Sequence, residues 1–222
     1  MGMLLRWLLW LWISLGIVAG LVWTPRAQDF LGESSRILYF HVPMAWASFV
    51  GFMVAGAWSI GYLVRRRPDH DRAATAAVEL GLLFCVLATV TGALWARVEW
   101  GMWWNWDPRQ TSIAVVLVFY AAYLVLRGAI EDPEVRARLA GAYAVLGLVV
   151  APFFIFVLPR LVEFTLHPEP VVNSDAELEM DPRIAITLLV SALGFTVLFF
   201  WLHRVRWRVL RLAARRGAGE LA

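Results

Sequence analysis

Residues 73–96 read AATAAVELGLLFCVLATVTGALWA, a stretch in which Glu79 is the one charged side chain. A helix needs about 17 to 25 apolar residues to cross a bilayer, because each residue advances it by about 1.5 Å. Lipid offers no hydrogen-bonding partner to an unpaired backbone amide, so such a stretch must be helical within a membrane. The stretch therefore predicts a transmembrane helix and decides the class of fold.

Similar apolar runs lie on both sides of this stretch. Together with it they cover residues 7–23, 42–64, 73–96, 111–126, 139–158 and 184–202. The composition agrees, because 61% of the 222 residues are hydrophobic and 17% are charged, against about 25% charged in soluble proteins. We predict an all-α integral membrane protein whose six transmembrane helices form a single membrane domain over residues 1–222.

The positions of the basic residues predict how the helices are oriented. All twenty are arginines, and fourteen of them lie near the N-terminus, in the even-numbered loops or in the C-terminal tail. Loops rich in arginine tend to stay in the cytoplasm, so both termini are predicted to be cytoplasmic. Three loops then face outward, at residues 24–41, 97–110 and 159–183.

Two absences from the sequence exclude certain activities. The chain contains no lysine, which excludes a Walker motif and a Schiff-base lysine. Cys85 is the only cysteine, so the chain forms no internal disulfide and has no C-x-x-C-H motif for covalent heme attachment. We therefore expect neither nucleotide hydrolysis nor covalently attached heme.

Residues 97–110, which directly follow the apolar stretch 73–96, form a tryptophan-rich segment. Residues 95–109 read WARVEWGMWWNWDPR and hold five of the thirteen tryptophans. If this segment is helical, one face carries Trp100, Trp103, Trp104 and Asp107, with Trp106 pointing elsewhere. Scattered tryptophans are typical of an aromatic belt, whereas this cluster favours a platform on which a flat ligand stacks.

Polar residues beside the cluster extend this interpretation. Asp107 followed by Pro108 is typical of an N-cap and first helical turn, so the fourth helix is predicted to begin there. Arg97, Arg109 or that helix start would then bind acidic groups of the ligand. Heme is flat and polarisable and carries two carboxylates, so it suits such a platform.

Two histidines in the predicted outer loops are candidate iron ligands. His41 lies at the outer end of the second apolar run, and His167 lies in the third outer loop. Neutral imidazole binds iron, and two imidazoles can complete the coordination of a heme. Each could instead be a capping, interfacial or exposed loop residue. His70 and His203 lie among predicted cytoplasmic arginines and are expected to be solvated or to anchor the interface.

The residues quoted so far resemble a known family. Residues 100–107, WGMWWNWD, resemble the W-G-x-x-W-x-W-D signature of the tryptophan-rich (WWD) heme-handling proteins of cytochrome c maturation. Residues 36–43, RILYFHVP, residues 165–167, TLH, and the six-span length are similar to the short branch of that family, the heme exporter C (CcmC) branch. Pro108 and Gln110 differ from the residues usual in that branch.

The resemblance implies a site and a role. It implies a multi-pass protein of the bacterial inner membrane that binds heme b non-covalently at its periplasmic surface and presents it to the heme chaperone CcmE. It also implies the ABC transporter subunits CcmA and CcmB and the small single-span subunit CcmD as partners. His41 and His167 would be the axial ligands of the heme iron. The heme-binding residues would be Trp100, Gly101, Trp103, Trp104, Trp106, Asp107, Arg36 and Arg109.

Two other functions remain open at the level of sequence. A b-type cytochrome subunit would use His41 and His167 to hold a heme that never leaves, although such proteins tend to place their ligands inside the spans. A plain permease subunit would use its tryptophans only as belt anchors.

Overall fold

The computed structural model describes residues 2–25, 32–162, 164–167, 181–217 and 219. Its helices are α1 (Met3–Val18), α2 (Leu38–Arg65), α3 (Pro68–Trp100), α4 (Pro108–Ala129), α5 (Pro133–Pro152), α6 (Leu158–Leu161) and α7 (Pro182–Gly217). Short π-helical segments, Ala19–Trp23 and Phe153–Val157, continue α1 and α5, and a 3-10 turn, Glu33–Ile37, precedes α2. Among these described residues, six helical segments are long and apolar enough to cross a membrane, which confirms the prediction of an all-α membrane protein with six spans.

The helices extend beyond the apolar runs that predicted them. The fourth span covers Pro108–Ala129, or 22 residues, so it is longer than the run at 111–126. The arginine-rich C-terminal tail continues α7 without a break as far as Gly217. Of the predicted outer loops, residues 26–31, 163 and 168–180 lie outside the described residues.

Helix α2 lies at the centre of the bundle and packs against α3, α5 and α7. It approaches α3 closely at Gly51, where an added Cβ would lie 2.8 Å from the Cα of Gly81. Next to this contact, the ring of Phe52 stacks on that of Tyr120 with centroids 3.5 Å apart. Small residues that bring helix backbones together are the usual basis of packing within membranes, where lipid competes for apolar contacts.

Helix α1 lies at the edge of the bundle and packs mainly against α7. The indole Nε1 of Trp12 donates a hydrogen bond to the carbonyl oxygen of Val190 at 3.1 Å. Most of the large apolar side chains of α1 are exposed, as expected for a helix that faces lipid on several sides.

The two ends of the bundle differ in composition. The tryptophan end comprises residues 101–107, residues 164–167 and the adjoining helix termini. The arginine end comprises the α2–α3 and α4–α5 connections and the C-terminal part of α7. Near the arginine end, His203 is 7% exposed and lies 2.9 Å from the carbonyl oxygen of Ala73. The prediction that His203 is an interfacial anchor is therefore wrong, because α7 turns this face toward α3.

Candidate functional site

The tryptophan-rich segment is not a continuous helix. Helix α3 ends at Trp100 because Gly101 adopts a left-handed conformation, with φ of +74°, which glycine reaches without steric penalty. Helix α4 begins at Pro108, and the side chain of Asp107 accepts a hydrogen bond from the amide of Arg109 at 3.0 Å. The N-cap prediction is confirmed, whereas the prediction of one helical face of tryptophans is wrong.

The four predicted platform tryptophans divide into three environments. Trp104 lines a cavity, and the ring of Trp100 packs edge-on against His167 with centroids 4.9 Å apart. Trp103 and Trp106 are 55% and 70% exposed. Trp106 also has a φ of +61°, which is rare for a bulky residue, and its carbonyl oxygen accepts a hydrogen bond from the hydroxyl of Thr111 at 3.0 Å.

The cavity that Trp104 lines has a volume of about 440 Å³ and lies among α2, α3, α4 and the helical segment 153–161. His41, His167 and Arg109 also line it, and Ile113 and Phe154 are among its apolar lining residues. Its size is within the range of small-molecule and cofactor sites, about 300 to 1,000 Å³. The fold thus brings the two predicted iron ligands, which are 126 positions apart in the chain, to one cavity.

The surroundings of His41 determine which of its ring nitrogens is free. Its Nδ1 lies 3.1 Å from the hydroxyl oxygen of Thr91. That hydroxyl is also 2.9 Å and 3.0 Å from the carbonyl oxygens of Leu87 and Ala88, which can only accept. With the single hydroxyl proton donated to one of these carbonyls, the oxygen accepts from Nδ1–H, and this tautomer of His41 has its lone pair on Nε2.

The space that the imidazole of His41 occupies depends on a glycine. A Cβ added to Gly92 on α3 would lie 2.9 Å from Cε1 of His41. A real side-chain atom does not approach an aromatic ring so closely, so any other residue at position 92 would displace the imidazole.

His167 is held by Asp107 in a similar way. Its Nδ1 lies 2.7 Å from Oδ1 of the buried Asp107 carboxylate. The other carboxylate oxygen, Oδ2, accepts from the amide of Leu166 at 2.8 Å and from the hydroxyl of Thr165 at 2.9 Å. One carboxylate therefore fixes residues 165–167 against the start of α4.

These contacts determine the charge states of Asp107 and His167. Burial tends to raise the pKa of Asp107, but hydrogen bonds from the amides of Arg109 and Leu166 outweigh it and hold the pKa below its ordinary value. Burial lowers the pKa of His167, and the charge of Asp107 opposes this only in part. At neutral pH the carboxylate is ionised and accepts from Nδ1–H of a neutral imidazole, so Nε2 of His167 carries the lone pair.

These residues fit a heme. Each histidine has its Nδ1 engaged and its Nε2 available to a metal, the arrangement usual for metal-binding histidines. Arg109 and Arg160 both line the cavity and suit propionate carboxylates. Gln110 lines the cavity as well, and its Oε1 accepts a hydrogen bond from the backbone amide of Asn105 at 2.9 Å. Its buried Nε2 has no hydrogen-bond acceptor within the described part of the chain.

Not every predicted heme-binding residue lies at the cavity. Arg36 contacts Glu33 at 2.5 Å and the carbonyl oxygen of Gly20 at 2.9 Å, and it is not among the described residues that line the cavity. Its role as a propionate ligand stays a prediction. The other predicted heme-binding residues that do not line the cavity are Trp100, Gly101, Trp103, Trp106 and Asp107. All the predicted heme contacts, including those of the lining residues, stay predictions. Sequence reasoning missed Thr91, Gly92 and Arg160, because helix periodicity alone does not show which neighbouring helix a side chain contacts.

The fold and the cavity define a class, the polytopic helical membrane proteins with two histidines lining one cavity near one end of the bundle. The family model described as heme exporter protein C matches residues 1–221. Heme exporter protein C of Bradyrhizobium diazoefficiens is 37% identical over 83% of this chain and 70% of its own length. Heme exporter protein C of Rhodobacter capsulatus is 34% identical over 97% of this chain and 89% of its own length. Heme exporter protein C of Escherichia coli K12 is 33% identical over 90% of this chain and 79% of its own length.

The chain therefore belongs to the heme exporter protein C family of cytochrome c maturation. This confirms the family that residues 36–43, 100–107 and 165–167 indicated.

Proposed function

We propose that the chain binds heme b non-covalently in the cavity at the tryptophan end, with His41 and His167 as axial ligands of the iron. The observation that carries this proposal is that both imidazoles line one cavity and that each has its Nδ1 within hydrogen-bonding distance of an oxygen. Bis-imidazole ligation requires an Nε2 lone pair on each of two imidazoles that share a site, and a proton held on each Nδ1 would leave that lone pair available.

The proposed membrane placement follows from the arginines. We assign the tryptophan end to the periplasmic side of a bacterial inner membrane and the arginine end to the cytoplasm. The reason is that fourteen of the twenty arginines lie near the N-terminus or at the arginine end, and arginine-rich segments tend to stay in the cytoplasm. The names of the relatives refer to heme export, which agrees with a site at the far side of that membrane.

The chain's contribution is to position a cargo rather than to change it. Trp104 and the apolar wall would contact the porphyrin, Arg109 and Arg160 would bind its propionates, and the histidines would fix its orientation. Trp103 and Trp106, which lie on either side of the cavity residue Trp104 in the chain, are more than half exposed. They form an aromatic surface through which the chaperone CcmE would reach one edge of the heme, with CcmA, CcmB and CcmD as further partners of the complex.

Absorption spectra test axial ligation. We expect the wild-type chain, purified from heme-replete cells, to show a Soret band, and His41→Ala and His167→Ala to weaken or shift it. His70→Ala, at the opposite end of the bundle, is the matched control and should leave the band unchanged. Unchanged heme content in the double His41→Ala, His167→Ala variant would contradict the proposal, and absence of heme from the wild-type chain would favour a permease subunit.

A transfer assay distinguishes a presenting protein from an electron carrier. We expect heme to pass from the loaded chain to added apo-CcmE and to form a complex with it. Quinol-dependent reduction of the heme in isolated membranes, without transfer to the chaperone, would favour a b-type cytochrome subunit instead.

A further inference from the structure

A second cavity lies at the arginine end, on the opposite side of the bundle from the heme site. Its volume is about 520 Å³, and its charged lining residues are Arg66, Arg72, Arg127, Arg136, Asp71 and Glu134. The arginines come from the end of α2, from α3, from α4 and from α5. Four separate elements thus direct guanidinium groups toward one space.

The charges lining this cavity do not balance. Asp71 is engaged by Arg127, whose two terminal nitrogens lie 2.6 Å and 3.0 Å from its two carboxylate oxygens. The remaining lining cations are Arg66, Arg72 and Arg136, and the remaining lining anion is Glu134. Arg72 also contacts Asp69 at 3.0 Å. Cations that converge in a partly enclosed space repel one another, so an anion entering the cavity would be stabilised.

Two further features of the arginine end favour the same kind of ligand. Pro68 and Pro133 both line the cavity and begin α3 and α5, so the positive ends of two helix dipoles are nearby. A neighbouring cavity of about 460 Å³ shares Pro68, Arg72 and Ala214 and adds three arginines and one acid, namely Arg67, Arg211, Arg215 and Asp69. The positive region therefore extends around the first turn of α3.

We propose that the arginine-lined cavity is a phosphate-binding site and that the headgroup of an anionic phospholipid occupies it. Guanidinium groups bind phosphate oxygens in pairs. The cavity lies where α2 and α4 end and α3 and α5 begin, so in a membrane crossed by these helices it would lie near the lipid headgroups. Leu210 and Ala137 contribute apolar lining. Basic pockets between helices at the cytoplasmic side are typical of such lipid sites. The proposal does not depend on heme binding.

Native mass spectrometry of the full-length chain with added phosphatidylglycerol or phosphatidylcholine tests this site. We expect the wild-type chain to retain phosphatidylglycerol selectively. Arg66→Gln combined with Arg136→Gln should reduce that retention by at least about tenfold per arginine, because each charge-assisted hydrogen bond contributes that much. Arg127 is left unchanged because its loss would leave the largely shielded Asp71 without its ion-pair partner.

A matched control has the same change in charge. Arg204 and Arg208 are exposed on α7 and line neither of the two cavities, so Arg204→Gln combined with Arg208→Gln should retain the lipid. Equal loss in both double variants, or no selectivity in the wild-type chain, would overturn the proposal.

A third arm separates a lipid from soluble phosphate. Melting temperatures are measured with phosphatidylglycerol and with millimolar inorganic phosphate. We expect the lipid to stabilise the wild-type chain and the phosphate to compete with it only weakly. Stabilisation by inorganic phosphate with no retained lipid would overturn the lipid assignment. An unchanged heme spectrum in each variant would show that the bundle is intact. A failure of the lipid proposal would then be separate from any failure of the heme proposal.

Discussion

Each end of the bundle contains a shielded aspartate near the start of a helix, and the two aspartates have different partners. Asp71, in the first turn of α3, binds the guanidinium group of Arg127 through both oxygens. Asp107, the N-cap of α4, binds Nδ1 of His167. The first pairing satisfies two charges within the protein and acts as a clamp between helices. The second fixes a proton on one ring nitrogen and leaves the other nitrogen for a ligand.

The largest expected effect is at the clamp. Asp71→Asn removes the carboxylate that neutralises Arg127 and, among the described residues, leaves the guanidinium only its contact with the ring of Tyr123. Both side chains of the pair are largely shielded, at 16% and 15% exposure. We expect the free energy of unfolding to fall by about 3 kcal/mol or more, measured by denaturant or thermal unfolding in detergent. Asp69→Asn is the control, because its pair with Arg72 is more exposed and contributes under about 1 kcal/mol. Equal losses in the two variants would contradict the assignment of Asp71 as a clamp.

Asp107→Asn tests the other member of the comparison. The amide can still cap α4, but it cannot carry the charge that holds His167 with its proton on Nδ1. We expect heme affinity to fall by about 100-fold, the upper range for the hydrogen-bond partner of a metal-binding histidine, as measured by heme titration. Glu99→Gln removes a carboxylate from the same end and should bind heme normally. Normal affinity in Asp107→Asn would show that His167 does not depend on this contact.

Thr91→Val tests whether the neutral hydrogen-bond partner of His41 contributes as much to heme affinity as the charged partner of His167. Valine preserves the shape but removes the oxygen that accepts from Nδ1, so we expect heme affinity to fall by about tenfold. Thr89→Val is a close control, because Thr89 also donates to a helix carbonyl, that of Cys85 at 2.8 Å, and, unlike Thr91, is itself a lining residue of the cavity. If both variants lose the same affinity, the loss comes from the change in cavity polarity and not from His41.

The smallest expected effect comes from Gly92→Ala. The new methyl group would press on the imidazole of His41, and relieving such overpacking costs about 1 kcal/mol, or about fivefold in heme affinity. Gly128→Ala, where an added Cβ meets nothing within 4 Å, is the control. Heme titration would contradict the role of Gly92 if the two variants bound heme equally well.

Much of the fold could be predicted because its determinants are local. An apolar run of about twenty residues must form a helix within lipid, whatever surrounds it, and Asp107 followed by Pro108 starts a helix through its own side chain and its own fixed φ. The prediction failed at Gly101, because a helical periodicity argument assumes that the helix continues, whereas a single left-handed glycine ended α3 and distributed the tryptophans among three environments.

The sequence by itself determined the six spans, the start of α4 and the family, because each depends on residues adjacent in the chain. Only the tertiary structure decided that His41 is bonded to Thr91 and His167 to Asp107, and that both histidines line one cavity while Arg36 lies elsewhere. The physical reason is that hydrogen bonds and cavities are made between helices. Their partners are set by how the helices are rotated and packed, and the hydrophobic periodicity of one helix does not encode the neighbour that it will face.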